Sequence, residues 1–172
     1  MRTLLIFVLI DLLGSEFLSA QRVIPTTDTL KIFGLVKVPI VLSVTELDTF
    51  TKVKVKDQII YNHSGEIKDT LDKLIGIRLS SVLSLVDLIY DKPKLLNEFY
   101  FVFTASDGYK VVFSWNEIYN SQISDKFFII TEMGGKQLVD LSQRIMFMST
   151  GDIKNGRRYI KGLKTIEVKR VD

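Results

Sequence analysis

The sequence has no cysteine in 172 residues. That excludes disulfides, thiolate metal sites, cysteine nucleophiles and lipidation on an N-terminal cysteine. It has one histidine, His63, so any serine–histidine–acid relay would have to run through it. Ser64 beside it is badly placed for a directed pairing, and no catalytic residue is nominated. Metal binding through nitrogen or sulfur lacks ligands. No stretch shows the acidic spacing of a calcium loop, a Walker-type loop or a dinucleotide glycine fingerprint. No pair of carboxylates stands out for glycoside chemistry. The formal net charge of +3 is too small and too local to imply nucleic acid.

What is present begins with residues 1–20, which read as a secretory signal. Arg2 supplies the positive start, Leu4-Leu5-Ile6-Phe7-Val8-Leu9-Ile10 the apolar run, and Ser19-Ala20 the small residues before Gln21. Asp11 and Glu16 interrupt a run already too short to span a bilayer, so no stable membrane anchor is expected after signal removal. The expected location is periplasmic or secreted. Residues 21–29 form a short lead, and residues 30–172 are expected to form one domain.

Within that domain, Leu30-Lys31-Ile32-Phe33-Gly34-Leu35-Val36 reads as a first strand with a glycine irregularity. Ser43 with Glu46, and Ser114 with Glu117, carry the spacing of a capping box, so short helices are predicted to follow each serine. Residues 51–61 alternate as one strand, with Val53, Val55, Ile59 and Tyr61 on one face and Lys52, Lys54, Lys56 and Gln58 on the other. Lysines on such a strand discourage edge-to-edge pairing. Asn62-His63-Ser64-Gly65 is a turn. Leu74, Ile77, Leu79, Val82, Leu83, Val86 and Ile89 recur at helical spacing, and a helix capped by Ser80 or Ser81 is predicted to run to about Ile89, before Pro93. Ser106-Asp107-Gly108-Tyr109 between Phe99–Ala105 and Lys110–Trp115 is a strong hairpin signal. Aromatics on both faces of the first of these runs predict a central strand covered on both sides. Phe127-Phe128-Ile129-Ile130-Thr131 and Ile145-Met146-Phe147-Met148 predict further strands, and residues 165–171 close the sheet. The fold class expected is α+β, a β-rich mixed sheet with two or three short helices.

Near the C-terminus lies Ser149-Thr150-Gly151-Asp152-Ile153-Lys154-Asn155-Gly156-Arg157-Arg158-Tyr159-Ile160-Lys161-Gly162-Leu163-Lys164. Five cations around three glycines suit an oxyanion if the loop folds back on a cleft. A solvated loop leading into an edge strand is the alternative.

The segment Thr150-Gly151-Asp152, with Arg158-Tyr159-Ile160-Lys161 and Ile166-Glu167-Val168, resembles the end of sulfite-oxidase-type molybdopterin-binding domains. Three earlier pieces match in order: residues 30–43, Gly76-Ile77-x-Leu79-x-x-Val82-Leu83, and Asp107-Gly108-Tyr109. The resemblance implies a mixed α+β domain that holds a pterin dithiolene with its phosphate, and so implies molybdopterin as the cofactor. Arg158 and Lys161, with Arg157, Gly151 and His63, are the contacts it nominates. It also places a molybdenum-ligating cysteine within residues 53–75, where this chain has none. The expectation is therefore an exported binding or interaction module without molybdenum redox chemistry, its partner an anionic small molecule or a protein. The alternative is a molybdopterin-dependent oxidoreductase, or an accessory subunit, that keeps the cofactor through Arg158, Lys161 and loop amides.

Overall fold

The computed structural model describes residues 23–171; the expected signal, and all but the last of the residues ahead of Ile24, lie outside them. The described residues fold into twelve strands: β1 (Thr29–Gly34), β2 (Ile40–Ser43), β3 (Lys52–Val55), β4 (Gln58–Tyr61), β5 (Ile67–Leu71), β6 (Leu74–Arg78), β7 (Phe99–Ala105), β8 (Lys110–Ser114), β9 (Phe127–Met133), β10 (Lys136–Gln137), β11 (Met146–Ser149) and β12 (Leu163–Arg170). Three five-residue helices, α1 (Val44–Asp48), α2 (Leu79–Leu83) and α3 (Trp115–Tyr119), sit between them. Short 3-10 turns occur at Pro93–Glu98, Ser124–Lys126, Leu138–Asp140 and Asn155–Arg157.

Both predicted capping boxes form. The Ser43 and Ser114 hydroxyls accept from the amides of Glu46 and Glu117, whose carboxylates accept from the two serine amides in return. One sheet runs β2-β1-β12-β7-β8, with β1 parallel to β12 and the other pairs antiparallel. The other runs β10-β9-β6-β3, with β11 also on β9. β4 and β5 pair only with each other, as the hairpin that carries the Asn62–Gly65 turn.

The main core lies between the two sheets. Phe103, Phe113, Phe127 and Phe147 meet there with ring centroids 4.9–5.2 Å apart in the tilted and edge-on arrangements that aromatic quadrupoles prefer. A second, smaller core on the far face of β9 collects Val55, Ile60, Leu74, Phe128, Ile130, Met148 and Tyr159. Alternation along β9 sends Phe127 and Ile129 into the first core and Phe128 and Ile130 into the second.

Three sequence expectations are corrected. The strand covered on both faces is β9, not β7. β7 is central, but only Phe99, Phe101, Phe103 and Ala105 are buried, while Tyr100, Val102 and Thr104 are half-exposed. Residues 51–61 are two strands, because the chain breaks alternation at Lys56-Asp57; Ile60 is thereby buried and Ile59 exposed, the reverse of the predicted face. Leu74 and Ile77 belong to β6, each facing one core, and the helix that follows is a single turn ending at Leu83. A run of apolar residues facing alternate cores mimics helical spacing.

Candidate functional site

The closing loop, residues 150–162, is built onto the rest of the molecule at two points. The first anchor is Asn155, whose side chain is buried and whose Nδ2 donates to the Ile59 carbonyl at 3.0 Å. The Tyr61 amide donates to its Oδ1 at 3.4 Å. Gly156 follows so tightly that a Cβ there would stand 2.1 Å from the Tyr61 carbonyl oxygen. No side chain fits.

The second anchor is the Asp-Gly turn between β7 and β8. The Ser106 amide donates to the Gly162 carbonyl at 2.8 Å, and the Ser106 hydroxyl to the Pro25 carbonyl at 2.5 Å. Gly162 has φ +66° and would bring a Cβ within 2.6 Å of the Ser106 hydroxyl, so both backbone conformation and space select glycine. The Tyr109 hydroxyl donates to the Arg157 carbonyl at 2.5 Å. Tyr109→Phe is expected to lower the urea midpoint by an amount equivalent to about 1 kcal/mol, the net worth of one hydrogen bond.

Between loop, turn and hairpin lies a half-open cavity of about 260 Å³. Lys68 and Asp69 of the β4–β5 hairpin, Asp107 and Tyr109 of the turn, and Tyr159 and Lys161 of the loop face it, over a floor that includes Ile60 and Ala105. Lys161 is half-buried, its ammonium 5.4 Å from the Tyr159 ring centroid. Among the described residues no carboxylate pairs with it. Burial, and then the Asp69 charge, push the Tyr159 phenol well above its ordinary pKa, and its hydroxyl donates to the Met146 sulfur at 3.4 Å.

The nominated residues do not gather in one place. Lys161 lines the cavity, while Arg157 lies outside the lining with its side chain exposed, and only its carbonyl, accepting from Tyr109, touches a lining residue. Arg158 points the other way, over the Phe113 ring at 4.5 Å. Its Nε donates to Asp152 at 2.7 Å, its Nη2 also reaches Asp152, and its Nη1 donates to Glu117 at 2.7 Å. The hydrogen bonds to Asp152 hold the guanidinium pKa above its already high ordinary value. Three donors on two carboxylates leave it little to offer a ligand. Gly151 is exposed, against Ile123 and Lys126, and His63 is exposed on the hairpin turn, outside the cavity lining. Asn155, Lys68 and Asp69 escaped the sequence reading. Asn155-Gly156 is a turn signal that marks the bend, but nothing in it announces the strand it grips.

The donor set does not fit a thiolate-ligated molybdenum centre. The chain has no cysteine, and no group of three or more metal-ligating side chains comes together among the described residues. No helix among them is long and apolar enough to cross a membrane.

No family model matches the chain, and no curated protein matches it. Among solved structures it is similar to the sulfane dehydrogenase SoxCD from Paracoccus pantotrophus, with TM-score 0.59 and 15% identity over 83% of this chain. The match spans 39% of that chain, less than half its length. At this identity the likeness speaks to fold alone, and it supports the β-rich α+β architecture expected from the closing motif.

Proposed function

We propose that the chain is an exported binding domain, without molybdenum redox chemistry, that takes a small organic anion in the cavity beside Lys161. The observation that carries this reading is Lys161 itself. A half-buried lysine with no carboxylate partner among the described residues holds its ammonium over an aromatic face and lines a cavity whose floor includes Ile60 and Ala105. A ligand carboxylate or phosphate would complete its charge, and an apolar body would cover Ile60 and Ala105. Asp69 on the rim disfavours ligands that are anionic all round, so one anionic group on an apolar body is the best match.

Calorimetric titration of the full chain with phenyl phosphate tests this. Binding is expected, weakened about tenfold by Lys161→Gln, as for loss of one charge-assisted hydrogen bond. An equal affinity in that variant, or no binding to the parent, overturns the proposal.

The likeness to a sulfane dehydrogenase keeps a second reading alive, in which the chain retains a molybdopterin and serves an oxidoreductase. Expression in a cofactor-competent host, followed by metal analysis and fluorescence of extracted pterin, separates the two. Stoichiometric molybdenum with pterin would sink the non-redox reading, and neither would sink the second.

A further inference from the structure

A second cleft, of about 320 Å³, opens beside β3 and shares no lining residue with the cavity at Lys161. Four cations face it from three parts of the chain: Lys54 and Lys56 from β3 and the residue after it, Arg78 from the end of β6, and Lys126 from the turn before β9. Asp125 is the one carboxylate in the lining.

The arrangement is partly held in place before any ligand arrives. Arg78 lies 5.7 Å from the Phe128 ring centroid, and its Nη1 donates to the Asp125 carbonyl at 2.6 Å. The Asp125 carboxylate is nearer to Lys126, at 3.1 Å, than to Arg78, at 3.9 Å. Lys54 and Lys56 are exposed and form no ion pair among the described residues. Edge protection explains part of this pattern, since β3 is the outermost strand of its sheet and lysines there prevent pairing with another copy. It does not explain why Arg78 and Lys126, from other elements, face the same cleft. One carboxylate shared between two cations leaves the cleft strongly positive, and focused positive charge attracts multiply charged anions.

We propose that this cleft binds a ligand with two or more clustered oxyanions, a chain of phosphate or sulfate groups, independently of the cavity at Lys161. Arg78 supplies a planar fork for one group, and Lys54, Lys56 and Lys126 supply point charges for the others.

Calorimetry of the full chain with inorganic triphosphate tests it, beside sedimentation with phosphatidylcholine vesicles containing phosphatidylglycerol. Triphosphate is expected to bind. The double variant Lys54→Gln/Lys56→Gln, both positions exposed and so harmless to folding, weakens it at least about tenfold, while Lys161→Gln leaves it unchanged. Vesicle binding that triphosphate displaces assigns the oxyanions to a lipid surface and supports the same site. Absence of triphosphate binding, equal binding by the double variant, or vesicle binding untouched by triphosphate overturns the proposal.

Discussion

Arg158→Met lowers the stability of the domain by about 2–3 kcal/mol, read as a fall of about 5–10 °C in the thermal midpoint at neutral pH. The arginine joins three pieces of chain. It reaches Asp152 in the closing loop, Glu117 at the start of α3, and the face of Phe113 in the main core. Methionine keeps much of the apolar contact but strands two carboxylates, of which Asp152 is the more buried, with a side chain 13% exposed. Removing one partner of a sheltered pair costs more than the pair was worth, because the survivor is left without its counter-charge. The exposure of Glu117 tempers the loss.

The same substitution changes the response to acid. Burial raises the Glu117 carboxyl pKa, but the Ser114 amide, the Arg158 guanidinium and the Ser114 hydroxyl together bring it below the ordinary 4.5. A lowered folded-state pKa contributes stability above the unfolded value and loses it as pH falls through the folded one. Melting curves of the parent should therefore drop more steeply below about pH 4.5 than those of the variant, which keeps only the Ser114 contribution. Parallel acid limbs would show that Arg158 acts through packing alone.

Gly156→Ala is expected to cost about 3 kcal/mol and to abolish phenyl phosphate binding at temperatures where the variant is still folded. A methyl group at 2.1 Å from the Tyr61 carbonyl oxygen meets backbone, which cannot swing aside as a side chain would. Either the loop lifts from β4, breaking the bonds of Asn155, or the hairpin moves; both displace walls of the cavity. A Lys161→Gln variant of normal stability separates loss of a charge from loss of a shape. Full binding by Gly156→Ala would place the ligand elsewhere.

The legible parts of this fold are those written in neighbouring residues. Ser43 with Glu46 and Ser114 with Glu117 satisfy backbone groups within one turn, and Asp107-Gly108 sets a tight reversal, so each could be read without knowing what lay across from it. The errors fall where a second surface decides. Whether Ile59 or Ile60 points inward depends on the break at Asp57 and on a core supplied by β9 and β11. Leu74 and Ile77 look helical in a list of apolar positions because each serves a different core. The site divides the same way. Glycine at 156 and 162 and the cation at 161 were visible as a loop suited to a ligand. That Arg158 would turn from the cavity to Asp152 and Glu117 was not, since its partners lie 6 and 41 residues away.

With β9 as a common wall, the two cores carry separate duties. The larger one fixes the sheets, whereas Ile60 and Tyr159, which line the cavity, belong to the smaller. The hairpin therefore reaches the cavity through the smaller compartment, while the closing loop touches both, since its Arg158 lies against Phe113 and Ala105 joins the cavity floor from the larger. A strain set at the loop is felt in both compartments, and one set at the hairpin first in the smaller.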